Sequence, residues 1–354
     1  MSNTFTKKII HWNRNDNNRE MPWKGEKDPY RIWLSEIILQ QTRVEQGLDY
    51  YNRFIKKYPT VFKLAAAPDQ EVFKLWEGLG YYNRCRNLLF TAREIVHRYK
   101  GVFPKGYEEI ISLKGVGPYT AAAIASFAYN LPHAVVDGNV FRVLSRFYGL
   151  DTAIDSTAGK QVFAALAQKM LDKKSPGEYN QAIMDFGATV CKPAAPFCSH
   201  CPLQTNCSAY QTGTVNRLPV KEKVLIRRSR HFNYFVFEYA GKTWVRQRTG
   251  KDIWQGLFEF YLVETEKSQR WTTASIAGWL REQLAVKQLK VIDISSPVLQ
   301  QLTHQQISGY FIRVALQEIP ASLSSSGEWL TPKKMSGLAF PRLITQYLSD
   351  MGKS

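Results

Sequence analysis

The chain has 354 residues, 44% of them hydrophobic, and a formal net charge of +17 at neutral pH. That length can bury a sizeable core in two domains, and no apolar run is long enough to span a bilayer, which excludes a helical integral membrane protein. The charge points to a polyanion, nucleic acid before an anionic membrane surface, although a basic face is often merely a solvated one.

Up to about Tyr210 the apolar spacing is helical. Trp33, Ile37, Gln41, Val44, Leu48, Tyr51 and Ile55 recur every three or four residues, and strand signals are nearly absent. Glu36 shares a helix with Gln40 and Arg43, and on residues alone this reads as a solvated face. In Gly78-Leu79-Gly80-Tyr81-Tyr82, core packing is the plain reading of Tyr81. Next come Leu113-Lys114-Gly115-Val116-Gly117-Pro118-Tyr119-Thr120 and the small-residue run Ala121 to Ala128. Gly115 and Gly117 allow a tight turn that aims N–H groups at an anion, such as one DNA phosphate, at the start of a helix. An ordinary helix-to-helix turn fits the same residues. Further on, Val135-Val136-Asp137-Gly138-Asn139-Val140 sets Asp137 just ahead of an amphipathic helix through Val143, Leu144 and Phe147, where an aspartate commonly serves as N-cap.

Cys191, Cys198, Cys201 and Cys207 place four thiolates within seventeen residues, with gaps of six, two and five. Four soft ligands so close suit zinc or a four-iron cluster, and ligand type alone leaves both open. Only one gap has the short spacing of a zinc pair, and Pro193, Pro196 and Pro202 stiffen an irregular loop. Disulfides are disfavoured, since Cys85 is the one other cysteine and no secretory signal is seen, so a cytoplasmic protein is expected.

Residues 213–230 carry Pro219 and the basic run Lys221, Lys223, Arg227, Arg228 and Arg230, and read as an interdomain linker that either lies along DNA or is simply solvated. From Phe232 the pattern changes to strands. Tyr234 to Tyr239, a turn at Ala240-Gly241, and Thr243 to Val245 form a hairpin pattern. Further strands fit Leu257 to Val263, Leu289 to Ile294 and Tyr310 to Leu316, helices fit Thr272 to Ala285 and Phe340 to Asp350, and Ser322 to Gly327 reads as a loop. No heptad or symmetric patch appears, so a monomer is expected.

The hairpin L-x-G-V-G, the aspartate in V-D-G-N-V and the C-x6-C-x2-C-x5-C loop, in this order over the first 210 or so residues, resemble the helix-hairpin-helix DNA glycosylases that carry a [4Fe-4S] cluster. Endonuclease III-like relatives place a catalytic lysine where this chain has Tyr119, and losing that amine removes the covalent lyase route. Tyrosine there is similar to the adenine DNA glycosylases of the MutY family, as are Trp33 to Thr42 and Gly78 to Tyr82. The resemblance implies a mainly α helix-hairpin-helix glycosylase domain over 1–212 with an Fe-S loop at 191–207, the linker 213–230, and an α+β Nudix-like domain over 231–354. No match to the acidic Nudix hydrolysis box is found, so that domain is expected to bind and not to hydrolyse.

The same resemblance assigns Glu36 as the acid that protonates adenine and Asp137 as the ionised partner at the sugar, supported by Tyr119 and Asn139. Breaking an N-glycosidic bond needs such a pair, one to protonate a poor leaving group and one to stabilise an oxocarbenium-like sugar. Gln41 and Tyr81 match positions that plug the gap left by a flipped base, and Trp23 and Gln181 match the adenine pocket. Leu302-Thr303-His304 matches a recognition loop for 8-oxoguanine that in the family reads phenylalanine, serine, histidine. Thr303 keeps the hydroxyl, while Leu302 loses the aromatic surface and His304 alone would read as a half-buried strand residue. The expected partner is duplex DNA containing adenine opposite 8-oxoguanine or guanine. A glycosylase for oxidised pyrimidines and a non-catalytic Fe-S DNA-binding protein are the alternatives.

Overall fold

The computed structural model describes residues 4–224 and 226–351. The outer limits of the expected domains, at 1–3 and 352–354, and Leu225 in the expected linker lie outside the described residues. Contacts divide the chain into two units, the first made of residues up to Ala66 with Arg86–Val224, the second of Ala67–Cys85 with residues from 225 onward. Among the described residues no helix is long and apolar enough to cross a membrane.

The first unit is helical, and its described residues contain no strand. Asp28 accepts from the Tyr30 N–H and Pro29 occupies the first turn, which starts the helix Pro29–Leu39. The apolar stripe from Trp33 to Ile55 does not form one rod. It breaks at Gln40–Arg43, where Gln41 takes φ 54°, and resumes in the helix Val44–Lys57. Thus the helical period is kept while the chain bends, and Gln41 projects from a turn. The core joins Phe5, Ile9 and Trp12 of the first helix, Thr4–Asn15, to Val143 and Leu144 of Gly138–Tyr148 and to Tyr179, Ile183 and Phe186 of Pro176–Thr189.

Small residues let these helices approach closely. Ala121, Ala123 and Ala125 on the helix Pro118–Tyr129 are fully buried. A Cβ on Gly177 would stand 2.8 Å from the Ser126 carbonyl oxygen. Beside that crossing, buried Asn180 accepts from the Val135 N–H (3.2 Å) and donates to Ser126 Oγ (2.9 Å) and the His133 carbonyl (2.8 Å). It thereby fixes the extended strand of chain that delivers Asp137 to its helix. The stretch before Val224 is also tied down, since Ile154 N–H donates to the Val220 carbonyl and Asp155 accepts from the N–H groups of Glu222 and Lys223.

The second unit is built on an eight-stranded mixed sheet. Arg228–Tyr239 and Gln305–Leu316 run parallel at its centre, while the pairings to Lys242–Gln247, Tyr261–Thr265, Leu289–Ile294 and Val298–Gln301 are antiparallel. The hairpin pattern at Ala240-Gly241 is present, with both turn residues at positive φ and Tyr239 opposite Lys242. Phe235, Phe237, Ile312 and Val314 pack under the helix Thr273–Leu284. On the other face Phe311 stacks on Tyr347 of the helix Arg342–Met351 with ring centroids 3.9 Å apart. Burial on both faces explains why residues 232–237 of this strand read as an apolar run interrupted only by Asn233.

Two readings of the sequence are corrected. Ser322 to Gly327 is not a loop: Ala321–Ser326 is helical, anchored by fully buried Leu323, whose carbonyl accepts from Trp244 Nε1 (2.8 Å), and its serines bond back to carbonyls one turn earlier. Arg230 is no linker cation. It lies on a strand, 8% exposed, with its guanidinium on Glu264 (2.7 Å) and Asp252 (2.8 Å).

Gly187 sits where a Cβ would come within 2.6 Å of Asn139 Cβ and 3.0 Å of its carbonyl oxygen. Gly187→Ala is therefore expected to destabilise the fold by about 1–3 kcal/mol in urea denaturation, the usual cost of overpacking; unchanged stability would show that this crossing has room to spare.

Candidate active site

A cavity of about 840 Å³ opens in the first unit. It brings together seven residues singled out from sequence: Trp23, Glu36, Gln41, Tyr119, Asp137, Asn139 and Gln181. Arg19, Lys24 and Met184 line it as well and were not anticipated.

Glu36 does not lie on a solvated face. The helix Pro29–Leu39 is buried from Ile32 to Ile38, and Glu36 is 8% exposed, with its carboxyl turned to the cavity. Burial pushes its pKa up to about 7; a hydrogen bond from Tyr119 opposes the rise and the charge of Asp137 adds to it. The Tyr119 hydroxyl, held by the helix Pro118–Tyr129, lies between this carboxyl and the Met184 sulfur at 3.5 Å. Burial and the two neighbouring carboxyls hold that phenol well above its ordinary pKa, so it stays a neutral donor.

Asp137 is the N-cap of Gly138–Tyr148, accepting from the Val140 N–H at 2.8 Å on one oxygen. Asn139 Nδ2 donates to the other at 2.7 Å. Burial raises the Asp137 pKa, while these bonds and the Arg142 charge pull it back toward the anion. Arg142 in turn donates to Asn139 Oδ1 (2.8 Å), the Gly187 carbonyl (2.7 Å) and the Cys191 carbonyl (2.7 Å). One guanidinium thus links the carboxylate's support to the first residue of the cysteine loop. The arrangement sets two carboxyls in one cavity, the first with a proton affinity near neutrality, the second drawn toward the anion by two hydrogen-bond donors and the Arg142 charge.

The cysteine loop runs through two short 3-10 turns, Cys198–His200 and Gln204–Asn206, with all four thiols half-buried. Among the described residues no three or more His, Cys, Asp or Glu stand in metal-ligand geometry. The thiols nevertheless feel one another. Burial first, then Cys191, Cys207 and Cys198, push the Cys201 thiol up to about 11, and burial and neighbouring thiols raise Cys207 in the same way. Thiols at Cys198, Cys201 and Cys207 that burial and their neighbours hold protonated are soft donors whose thiolates a metal charge would stabilise.

Gly115 and Gly117 lie outside the cavity. Gly115 takes φ 81°, and a Cβ there would meet Asn87 Cβ at 2.7 Å; Gly117 caps the helix Pro118–Tyr129. In the second unit Tyr81 is 42% exposed at φ 49°, not a core residue, and the Arg84 guanidinium sits 5.4 Å from its ring centroid. Its hydroxyl is hydrogen-bonded to that of Thr303. Leu302, Thr303 and His304 form the turn between Val298–Gln301 and Gln305–Leu316, so His304 is an exposed turn residue.

The segment 34–169 matches the HhH-GPD superfamily base excision DNA repair proteins, and 233–350 matches a NUDIX domain. The chain is 30% identical to an adenine DNA glycosylase of Buchnera aphidicola subsp. Baizongia pistaciae, over 99% of this chain and 97% of that protein. It is 42% identical to the adenine DNA glycosylase of Mus musculus, over 61% of this chain and 44% of the mouse protein. A solved thermostable thymine-DNA glycosylase superposes with a TM-score of 0.55 at 30% identity, covering 59% of this chain and 95% of that one. Fold and site therefore define a base-excision DNA repair glycosylase of the helix-hairpin-helix class with a Nudix-like domain. Within that class, the chain belongs to the adenine DNA glycosylase family. It is a DNA N-glycosylase that removes adenine.

Because the Glu36 pKa is raised from 4.5 to about 7, its ionisation opposes folding. The stability present below pH 4.5 is lost as pH rises through about 7. Glu36→Gln should therefore gain stability over wild type at pH 8 relative to pH 4, by an upper bound of about 3 kcal/mol. Equal effects at both pH values in thermal denaturation would show that the carboxyl is solvated.

Proposed function

We propose that this glycosylase excises adenine paired with 8-oxoguanine or guanine in duplex DNA, by acid-catalysed hydrolysis with Glu36 and Asp137. The observation that carries the reading is a carboxyl of near-neutral pKa sharing a cavity with a second, donor-supported carboxylate. Adenine leaves poorly until a ring nitrogen is protonated, and Glu36 is the group that holds a transferable proton at neutral pH. Asp137 stays ionised and stabilises the positive charge that develops on the sugar, as electrostatic partner or transient nucleophile. Glu36, now deprotonated, accepts a proton from water. Tyr119 and Asn139 hold the two carboxyls in place.

A base in a duplex must be flipped out to reach such a cavity. Trp23 and Gln181 line the space that receives it. Gln41 and Tyr81, both on turns at positive φ, fill the gap, and Gly115 and Gly117 present N–H groups to a phosphate. The division of labour is a glycosylase domain over 1–212, a linker that begins at 213 and ends where the strand Arg228–Tyr239 starts, and a recognition domain beyond it to 354. In the last, the Thr303 hydroxyl bonds the edge of 8-oxoguanine, His304 assists it, and Leu302 supplies an aliphatic contact.

The four cysteines are read as ligands of a [4Fe-4S] cluster, which the soft, mutually repelling thiols fit. A bound cluster would cross-link the loop and present its basic surface to DNA. Proton transfer and C–N cleavage at the base need no electron.

Single-turnover adenine release should be fast from adenine opposite 8-oxoguanine, slower opposite guanine and negligible opposite thymine. Glu36→Gln should lower the rate by about a thousandfold or more, the scale of a lost general acid. Release of thymine glycol alone would overturn the assignment, and no release at all would favour a non-catalytic DNA-binding protein. The purified chain should contain iron and sulfide in equal amounts, whereas zinc in their place would contradict the cluster.

A further inference from the structure

Asp185, on the helix Pro176–Thr189, is 0% exposed and plays no part in the chemistry above. Four donors surround it. Arg19 Nη1 (2.8 Å) and Gln181 Nε2 (3.0 Å) reach one carboxylate oxygen, and Asn17 Nδ2 (3.0 Å) and Lys24 Nζ (3.4 Å) reach the other. Asp185 itself does not line the cavity, but Arg19, Lys24 and Gln181 do. A buried carboxylate is sustained by such pairing, and Arg19 and Lys24 supply two cationic partners.

An ionised carboxylate only accepts hydrogen bonds, so it admits only the NH2 end of the Gln181 amide. Gln181 and Asp185 lie four residues apart on one helix face, which holds that contact in place. With its NH2 committed, Gln181 has its carbonyl oxygen left for a base in the cavity.

We propose that Asp185 is a positioning residue that sets the polarity of the base pocket, locking Gln181 as an acceptor for an exocyclic amine. The proposal rests on the reading of this cavity as the adenine pocket. Adenine carries an amine donor at C6, hypoxanthine carries a carbonyl there, and purine carries nothing. An amide free to rotate serves either partner, whereas a locked one faces the hypoxanthine carbonyl with another oxygen.

The test is single-turnover release of adenine, hypoxanthine and purine from otherwise identical duplexes, by wild type, Asp185→Asn, Asp185→Glu and Gln181→Leu, with folding checked by circular dichroism. Asp185→Asn, whose own amide meets Gln181 in either orientation, should lower the adenine-to-hypoxanthine rate ratio about tenfold or more. Gln181→Leu should lower it similarly, and Asp185→Glu, which remains an acceptor-only anion, should keep it. A merely structural role lowers all rates together and leaves the ratio unchanged, which would overturn the proposal. If Asp185→Asn fails to fold, Gln181→Leu decides, and an unchanged ratio there also overturns it. A wild type that releases no adenine would overturn the adenine-pocket reading first. A wild type that releases adenine, beside folded variants with unchanged ratios, would overturn only the role of Asp185.

Discussion

The desolvation of one carboxyl organises this protein. Glu36 sits on a helix buried along nearly its whole length, and water is too scarce there to favour its charge. Its proton affinity rises to about 7, where an acid is both protonated and ready to give its proton up. The cost is a less stable charged state, which the fold carries elsewhere, in a large aromatic and aliphatic core. The second carboxyl close by, Asp137, is raised by burial as well. Asp137 is drawn back toward the anion because its helix start supplies one N–H and Asn139 supplies another donor. Two carboxyls thus meet different surroundings in one cavity: burial dominates at Glu36, and hydrogen-bond donors oppose it at Asp137.

Much of the surrounding architecture keeps that difference. Asn180 secures the approach of the chain to Asp137, Gly187 leaves room for Asn139, and Arg142 ties Asn139 to the start of the cysteine loop. The second unit answers a different demand. Its sheet has buried faces on both sides, and the turn carrying Leu302, Thr303 and His304 projects from the end of two paired strands. A turn on a rigid ladder is held precisely, because the strands on either side fix its ends.

Local signals were legible in the sequence where they depend on local physics. Ala240-Gly241 marks a hairpin because its turn needs positive φ, and Asp137 marks a helix start because a short carboxylate reaches a free N–H. What depends on burial was not. Glu36 looks solvated from its helical spacing, yet the helix is enclosed on all sides. Arg230 reads as linker charge until its partners Asp252 and Glu264 fold beside it, and the serine-rich 321–326 segment is helical because Leu323 finds a pocket. Asp185 is inconspicuous in the sequence for the same reason. Its one sequence cue is Gln181 a turn earlier, while Arg19 and Lys24 come from more than 150 residues away in sequence.

The central claim is that burial sets Glu36 as the acid. It is tested most directly by the pH dependence of single-turnover adenine release at saturating enzyme. The rate should fall as pH rises through about 7, following loss of the Glu36 proton. A rate that already falls between pH 4 and 5, as for a solvated glutamate, or one that stays level to pH 9, would contradict it.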